Sequence, residues 1–148
     1  MRFVRVGRSA RAVAAAVVLG AVCGGCQPSP TAPGNYQAFT ITDLVVGTGT
    51  EAASGSVVTV YYTGWIYNAS KTDQKGPIFS STLGTDSYTF TLGAGTVIQG
   101  WEQGLVGMQV GGKRRLVIPP SMAYGDTRGS SVPPNCTLLF EVDLLDVQ

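Results

Sequence analysis

Past residue 38, apolar and polar residues alternate along most of this chain with the period of two that marks half-buried strands. Residues 39–46 read as a first strand, ended by Gly47-Thr48-Gly49. Residues 57–65, rich in Val, Thr and Tyr, are the strongest strand candidate. Tyr88, Phe90 and Leu92 alternate in a third, closed by Gly93-Ala94-Gly95. Residues 114–118 give a fourth strand after the Gly111-Gly112 turn. Residues 137–147 give the last, with Phe140, Val142 and Leu144 on one face and Glu141 and Asp143 on the other. Such alternation describes an antiparallel sheet with one wet face. Residues 68–77 are polar and read as a loop or bulge, and 126–134 as a hairpin-like loop.

One stretch breaks the period. In Val97-Ile98-Gln99-Gly100-Trp101-Glu102-Gln103-Gly104-Leu105, Val97, Trp101 and Leu105 recur four apart, with Ile98 beside the first and Met108 beside the last. They share one face of a short helix. Gly100 and Gly104 flank the tryptophan and each weakens the helix by about 1 kcal/mol relative to Ala. The helix therefore needs support from a sheet laid over its apolar face. On periodicity alone this is a buried core helix, and one helix on the dry face of a sheet makes the fold α+β.

Composition narrows the chemistry. The 148 residues suffice for one domain plus a targeting segment. The chain has no histidine, which removes Ser-His-Asp and Cys-His hydrolases and deprives a catalytic zinc site of its commonest ligand. Neither a Walker-type phosphate loop nor a GxGxxG after a strand is present. Lys113-Arg114-Arg115 is the basic cluster past the leader, too small for a nucleic-acid stripe, and reads as a solvated strand end. No nucleic acid, cofactor or resident metal is expected. Cys136 reads as a small buried apolar residue at a strand start.

Residues 1–26 read as an export signal. Arg2, Arg5, Arg8 and Arg11 form a basic n-region, no acidic residue precedes Asp43, and residues 12–22 give a short apolar core. Gly24-Gly25-Cys26 resembles the cleavage box of bacterial lipoproteins, in which the cysteine becomes the lipidated first residue. Cys23 departs from that box, which usually has an aliphatic residue three before the cysteine. Lipidation at Cys26 is the expectation, with plain secretion and a plastid transit peptide as alternatives. The Cys23–Cys26 CxxC lacks a second pair and any histidine, so it is not read as a metal or redox site. Residues 27–35 form a Pro-rich tether of up to roughly 28 Å, at about 3 Å per residue. Of ten basic and nine acidic residues, removing the four leader arginines leaves six against nine, a net charge of about −3.

From about residue 56 to the C-terminus the chain resembles the FKBP-type peptidyl-prolyl cis-trans isomerases, the macrolide-binding immunophilins. The matching pieces are Val60-Tyr61-Tyr62-Thr63-Gly64, Phe79-Ser80-Ser81, Val97-Ile98-Gln99-Gly100-Trp101-Glu102, Ala123-Tyr124-Gly125, Val132-Pro133-Pro134-Asn135 and residues 138–145, in that order. With the leader, this reads as a bacterial exported or lipoprotein member, whose isomerase domain runs over 36–148 with its core motifs in 56–148. The resemblance implies a curved five- or six-stranded antiparallel sheet wrapped around the helix, with the substrate proline entering between them.

Carried over residue by residue, the resemblance makes Trp101 the pocket floor and assigns catalysis to Tyr62, Phe79, Trp101, Tyr124 and Phe140. It assigns substrate binding to Ser80, Tyr88, Phe90, Val97, Ile98 and Val132. The Ile98 N–H and the Tyr124 hydroxyl are the implied donors to substrate carbonyls. For most of these aromatics plain core packing is the alternative. Ser80 is a departure, because family members usually carry Asp there, and reduced affinity for rapamycin-type macrolides is expected. The segment 62–79 is longer than in the minimal single-domain members and reads as a lengthened loop beside the pocket. The implied function is acceleration of Xaa-Pro rotation that assists folding of exported proteins. The alternative is a weakly active chaperone or peptide-binding module with the same pocket. The expected partners are proline-containing polypeptides, and the membrane through an N-terminal lipid only. A monomer facing the periplasm or cell exterior is expected.

Overall fold

The computed structural model describes residues 37–127 and 131–148. The segments read from sequence as an export signal (1–26, with Cys26) and a tether (27–35) lie outside the described residues. Six strands run in chain order: β1 (Thr40–Val45), β2 (Val57–Tyr67), β3 (Lys75–Ser81), β4 (Tyr88–Thr91), β5 (Lys113–Ile118) and β6 (Leu138–Val147). Among the described residues one α-helix, α1 (Gln99–Gly104), lies between β4 and β5, and a short 3₁₀ turn at Pro120–Met122 follows β5. The strands form one antiparallel sheet in the order β1-β5-β6-β2-β3, with β4 also paired to β2. The α+β expectation holds, with six strands.

β2 organises the sheet. One edge pairs with β6 from Val58 to Ile66. The other edge is shared: Val57 to Val60 face β4, and Thr63 to Tyr67 face β3. Tyr62 falls in the gap between those two partners, where Thr82 replaces a strand. Thr82 donates its N–H to the Tyr62 carbonyl at 2.9 Å, and its hydroxyl accepts the Tyr62 N–H at 2.9 Å. An orphaned buried peptide group is costly, so this pairing lets the sheet open at Tyr62 without loss.

β3 corrects the loop expected over 68–77. Its first residues, Lys75-Gly76-Pro77, are poor strand formers, yet β3 is an edge strand, where a proline leaves no ladder bond unmade. The longer segment after Tyr62 is therefore mostly hairpin. β2 and β3 are joined by a turn in which Asn68 donates to the Gln74 carbonyl and Lys71 to that of Asn68.

The core lies between the sheet and α1. Val58, Val60, Leu92, Leu116, Ile118, Leu138 and Val142 are fully buried, with Trp101, Leu105, Met108 and Cys136 packed among them. The glycines of α1 turn out to be contact surfaces. A Cβ on Gly100 would stand 2.4 Å from Ile118 Cγ2, and one on Gly104 would stand 2.8 Å from Leu116 Cδ2. Their missing side chains let the helix backbone settle onto β5. Helix propensity is given up for proximity.

The basic triplet is not a solvated strand end. Alternation puts Arg114 on the inner face with Leu116 and Ile118, and its side chain is buried. Its Nη1 donates to the carbonyls of Gly104 (2.9 Å) and Val106 (3.0 Å), closing the C-terminal end of α1, and its Nε pairs with Asp43 on β1. Arg115 and Lys75 both reach Glu141 on the outer face, and Lys113 reaches Asp143. Burial alone would raise the Glu141 carboxyl, but hydrogen bonds from Lys75 and Arg115 outweigh it and hold the group below the usual carboxylate range.

Candidate active site

Between α1 and the open part of β2 lies a cavity of about 510 Å³. Its lining comes from β2 (Tyr62), β3 (Phe79, Ser80), β4 (Tyr88), the 96–98 segment, α1 (Trp101), β6 (Phe140), and the loop between β5 and β6 (Tyr124, Ser131, Val132). Trp101 keeps 4% of its surface exposed and Phe140 keeps 3%, whereas Tyr88 and Tyr124 keep 38% and 43%. The indole is thus the floor and the two tyrosines mark the mouth. It is not interlocked as solid interior.

Edge-on rings hold the indole in place. The Tyr62 ring centroid lies 4.9 Å from that of Trp101 at 86°, and the Phe140 centroid lies 5.3 Å away at 82°. Phe79 meets Phe140 at 5.5 Å and 84°. These T-shaped contacts each contribute about 0.5–1.5 kcal/mol beyond area burial. Gly64 makes room for that wall, since a Cβ there would come within 2.8 Å of both Phe79 Cζ and Phe140 Cε1. The Trp101 Nε1 is buried with no acceptor among the described residues. An orphan donor costs about 1–3 kcal/mol, and the fold carries that cost at the cavity floor.

All but one of the residues implied by the family resemblance line the cavity. Phe90 does not. It is buried behind the wall, stacked on Tyr88 at 5.4 Å and tilted against Trp101 at 5.6 Å, so it supports two lining rings without reaching the opening. Its inward direction follows from strand parity with Leu92 and the core. Val97 and Ile98 also differ from the helical reading, because the helix starts only after Ile98, which is extended at φ −62° and ψ 149°. Ile98 accepts from Trp101 and Glu102 as the first helical carbonyl, while its own N–H has no acceptor among the described residues. Thr96 and Ser131 line the cavity without having been anticipated. Each directly precedes an anticipated residue, and that adjacency was the one signal available.

Apart from the indole N–H, the polar side-chain groups of the described lining residues are hydroxyls. Tyr62 Oη and Ser80 Oγ lie 2.9 Å apart and share a hydrogen bond. Burial, then the neighbouring Tyr62 and Tyr88 phenols, pushes the Tyr124 hydroxyl above the ordinary phenol range, so it keeps its proton to higher pH.

The segment that presents Val97 and Ile98 is fixed by Glu102. From the first turn of α1 its carboxylate accepts the N–H groups of Gly93 and Gly95, the latter at 2.9 Å. Both are charge-assisted bonds. Glu102→Ala is expected to destabilise the domain by about 1–3 kcal/mol and to raise KM several-fold. Thermal melts and steady-state kinetics check this, with Glu102→Gln falling between.

The FKBP-type peptidyl-prolyl cis-trans isomerase family matches residues 48–145 of the chain. An FK506-binding protein of Neisseria meningitidis is 48% identical over 108 residues, covering 72% of this chain and 94% of that protein. Peptidyl-prolyl cis-trans isomerase FKBP15-3 of Arabidopsis thaliana is 48% identical over 100 residues, covering 68% of this chain and 66% of that protein. Among solved structures, FkpA from Escherichia coli superposes with a TM-score of 0.62 at 36% identity, covering 74% of this chain and 48% of that one.

Proposed function

We propose, from the premise that this chain belongs to the FKBP-type peptidyl-prolyl cis-trans isomerase family, that Xaa-Pro bonds turn in the cavity over Trp101. The protein is a peptidyl-prolyl cis-trans isomerase. The observation that carries the assignment of the cavity is the indole floor walled by Tyr62 and Phe140 and reached past Tyr88 and Tyr124.

The reaction sets the requirements. Cis and trans Xaa-Pro differ by only about 0.5–1 kcal/mol, but amide resonance puts about 18–20 kcal/mol between them. At the top of that barrier the C–N bond is twisted and the dipolar resonance form is lost. An aromatic floor in a cavity with no charged side chain among its described lining residues disfavours the planar dipolar amide relative to the twisted one. In this reading the Ile98 N–H and the Tyr124 hydroxyl, both from lining residues, hold the flanking carbonyls and so select the turned geometry. Lowering the barrier by about 5 kcal/mol gives roughly 10³- to 10⁴-fold. Neither a nucleophile nor an acid–base pair takes part.

That mechanism has a pH signature. Among the described lining residues the titratable side chains are phenols. The Tyr124 group is raised above its ordinary range, so its donor proton persists through neutral and mildly alkaline solution. The expected result is kcat/KM for a Leu-Pro peptide that is level from about pH 5 to 9 and falls only as phenols ionise. A bell centred near neutrality would contradict it.

Members of the family bind proline-containing peptides and macrolides. For this chain, rapamycin-type macrolides bind with reduced affinity, because Ser80 offers a neutral hydroxyl where a carboxylate is usual. The basic leader and the Gly24-Gly25-Cys26 box support export, lipidation at Cys26, and work on newly exported polypeptides by a domain held on the 27–35 tether. Mass spectrometry of the membrane fraction tests this. A diacylglyceryl-cysteine N-terminus at residue 26 is expected, and an unacylated mature terminus overturns it.

A further inference from the structure

Ser80, Thr96 and Ser131 bring aliphatic hydroxyls to the cavity and Tyr62, Tyr88 and Tyr124 bring phenols, while no charged side chain is among its described lining residues. The Tyr62–Ser80 pair has a further property. Two hydroxyls carry two hydrogens, and their 2.9 Å contact uses one of them. Whichever oxygen donates within the pair, the other hydrogen stays available. The wall therefore offers a donor and no anion.

A cavity of about 510 Å³ falls within the range of about 300–1,000 Å³ that encloses a drug-sized ligand. It has room for the residue before proline as well as for the prolyl ring. Resting on the reading of this cavity as the isomerase site, we infer that it takes Xaa-Pro bonds in which Xaa is aspartate or glutamate in preference to those with the neutral amide of the same shape. With the prolyl ring over Trp101, the preceding carboxylate accepts from the Tyr62–Ser80 pair. That bond is charge-assisted, roughly twice as strong as its neutral counterpart, and meets no lining carboxylate. The net acidity of the mature chain opposes such substrates only at distances that salt screens, whereas the hydrogen bond acts at contact.

Ser80 is thereby a specificity-determining residue. The test uses the mature chain at physiological salt with peptides identical except for Glu-Pro, Gln-Pro, Leu-Pro or Lys-Pro, read by exchange NMR. The expected Glu-to-Gln ratio of kcat/KM is about threefold or more in the unmodified protein. Ser80→Asp, which places a like charge on the wall, is expected to lower that ratio by about tenfold and raise Lys-Pro relative to Gln-Pro. Ser80→Ala falls between, since Tyr62 keeps its own hydrogen. Because each readout is a ratio on one sample, partial unfolding of a variant cancels. A Glu-to-Gln ratio of one or below, or one that Ser80→Asp leaves unchanged, overturns the inference while the isomerase site stands. Failure to accelerate any of the four peptides overturns the reading of the site itself.

Discussion

Trp101→Ala is expected to lower kcat/KM toward a Leu-Pro bond by about 100-fold, a loss of about 3 kcal/mol in transition-state stabilisation. The indole is the floor of the cavity and the common neighbour of Tyr62, Phe90 and Phe140. Alanine removes the surface on which a prolyl ring rests and admits water beneath it. Desolvation and shape then fail together. The same change empties core volume, and Trp→Ala substitutions cost about 3–5 kcal/mol of stability. Trp101→Leu separates the two effects, because it keeps an apolar floor. Its expected loss is nearer tenfold, with a smaller fall in thermal midpoint. Full activity in folded Trp101→Ala would remove the indole from the mechanism.

Gly100→Ala should show the largest purely structural effect. Alanine is the better helix former by about 1 kcal/mol, so propensity alone predicts stabilisation. Contact predicts the reverse. The new methyl would meet Ile118 at Cγ2, Cδ1 and Cγ1 within 2.4–2.9 Å, and Ile118 is fully buried. Overpacking of this kind costs about 1–3 kcal/mol, and after the propensity gain a net loss of up to about 2 kcal/mol lowers the thermal midpoint of a domain this size by up to about 10 °C. At Gly104 the obstacle is the flexible end of Leu116, so Gly104→Ala is expected to cost less. Combining Gly100→Ala with Ile118→Ala should cost less than the sum of the two, since the second change makes the space the first one needs. Strict additivity would show that the helix and β5 do not meet there.

These two residues also mark what the sequence could and could not convey. Trp101 was legible because ordered motifs around it resemble a known family, and its cavity partners Tyr62, Phe79, Tyr124 and Phe140 came with it. Gly100 was read as a weakness of the helix, since the meaning of an absent side chain lies in the partner strand. β2 and β6 were legible from alternation, whereas β3 was hidden because Lys75-Gly76-Pro77 is tolerated only at an edge, and edges are set by topology. Arg114 shared strand parity with Leu116 and Ile118, so its inward direction was readable, but alternation does not reveal that the Gly104 and Val106 carbonyls just upstream fold back to meet it. Phe90 carried the right chemistry with the wrong depth. A buried ring and a lining ring look alike until the opening is located.

The central claim is that rotation is accelerated over an aromatic floor in an uncharged cavity, without proton transfer. The direct measurement is kcat/KM for a Leu-Pro peptide in H₂O and in D₂O, by exchange NMR with the folded chain. Rotation well above background with a solvent isotope ratio of about one is the expected result, because no proton moves in the rate-limiting step. A ratio of about two or more would place a proton transfer in the transition state and contradict the account.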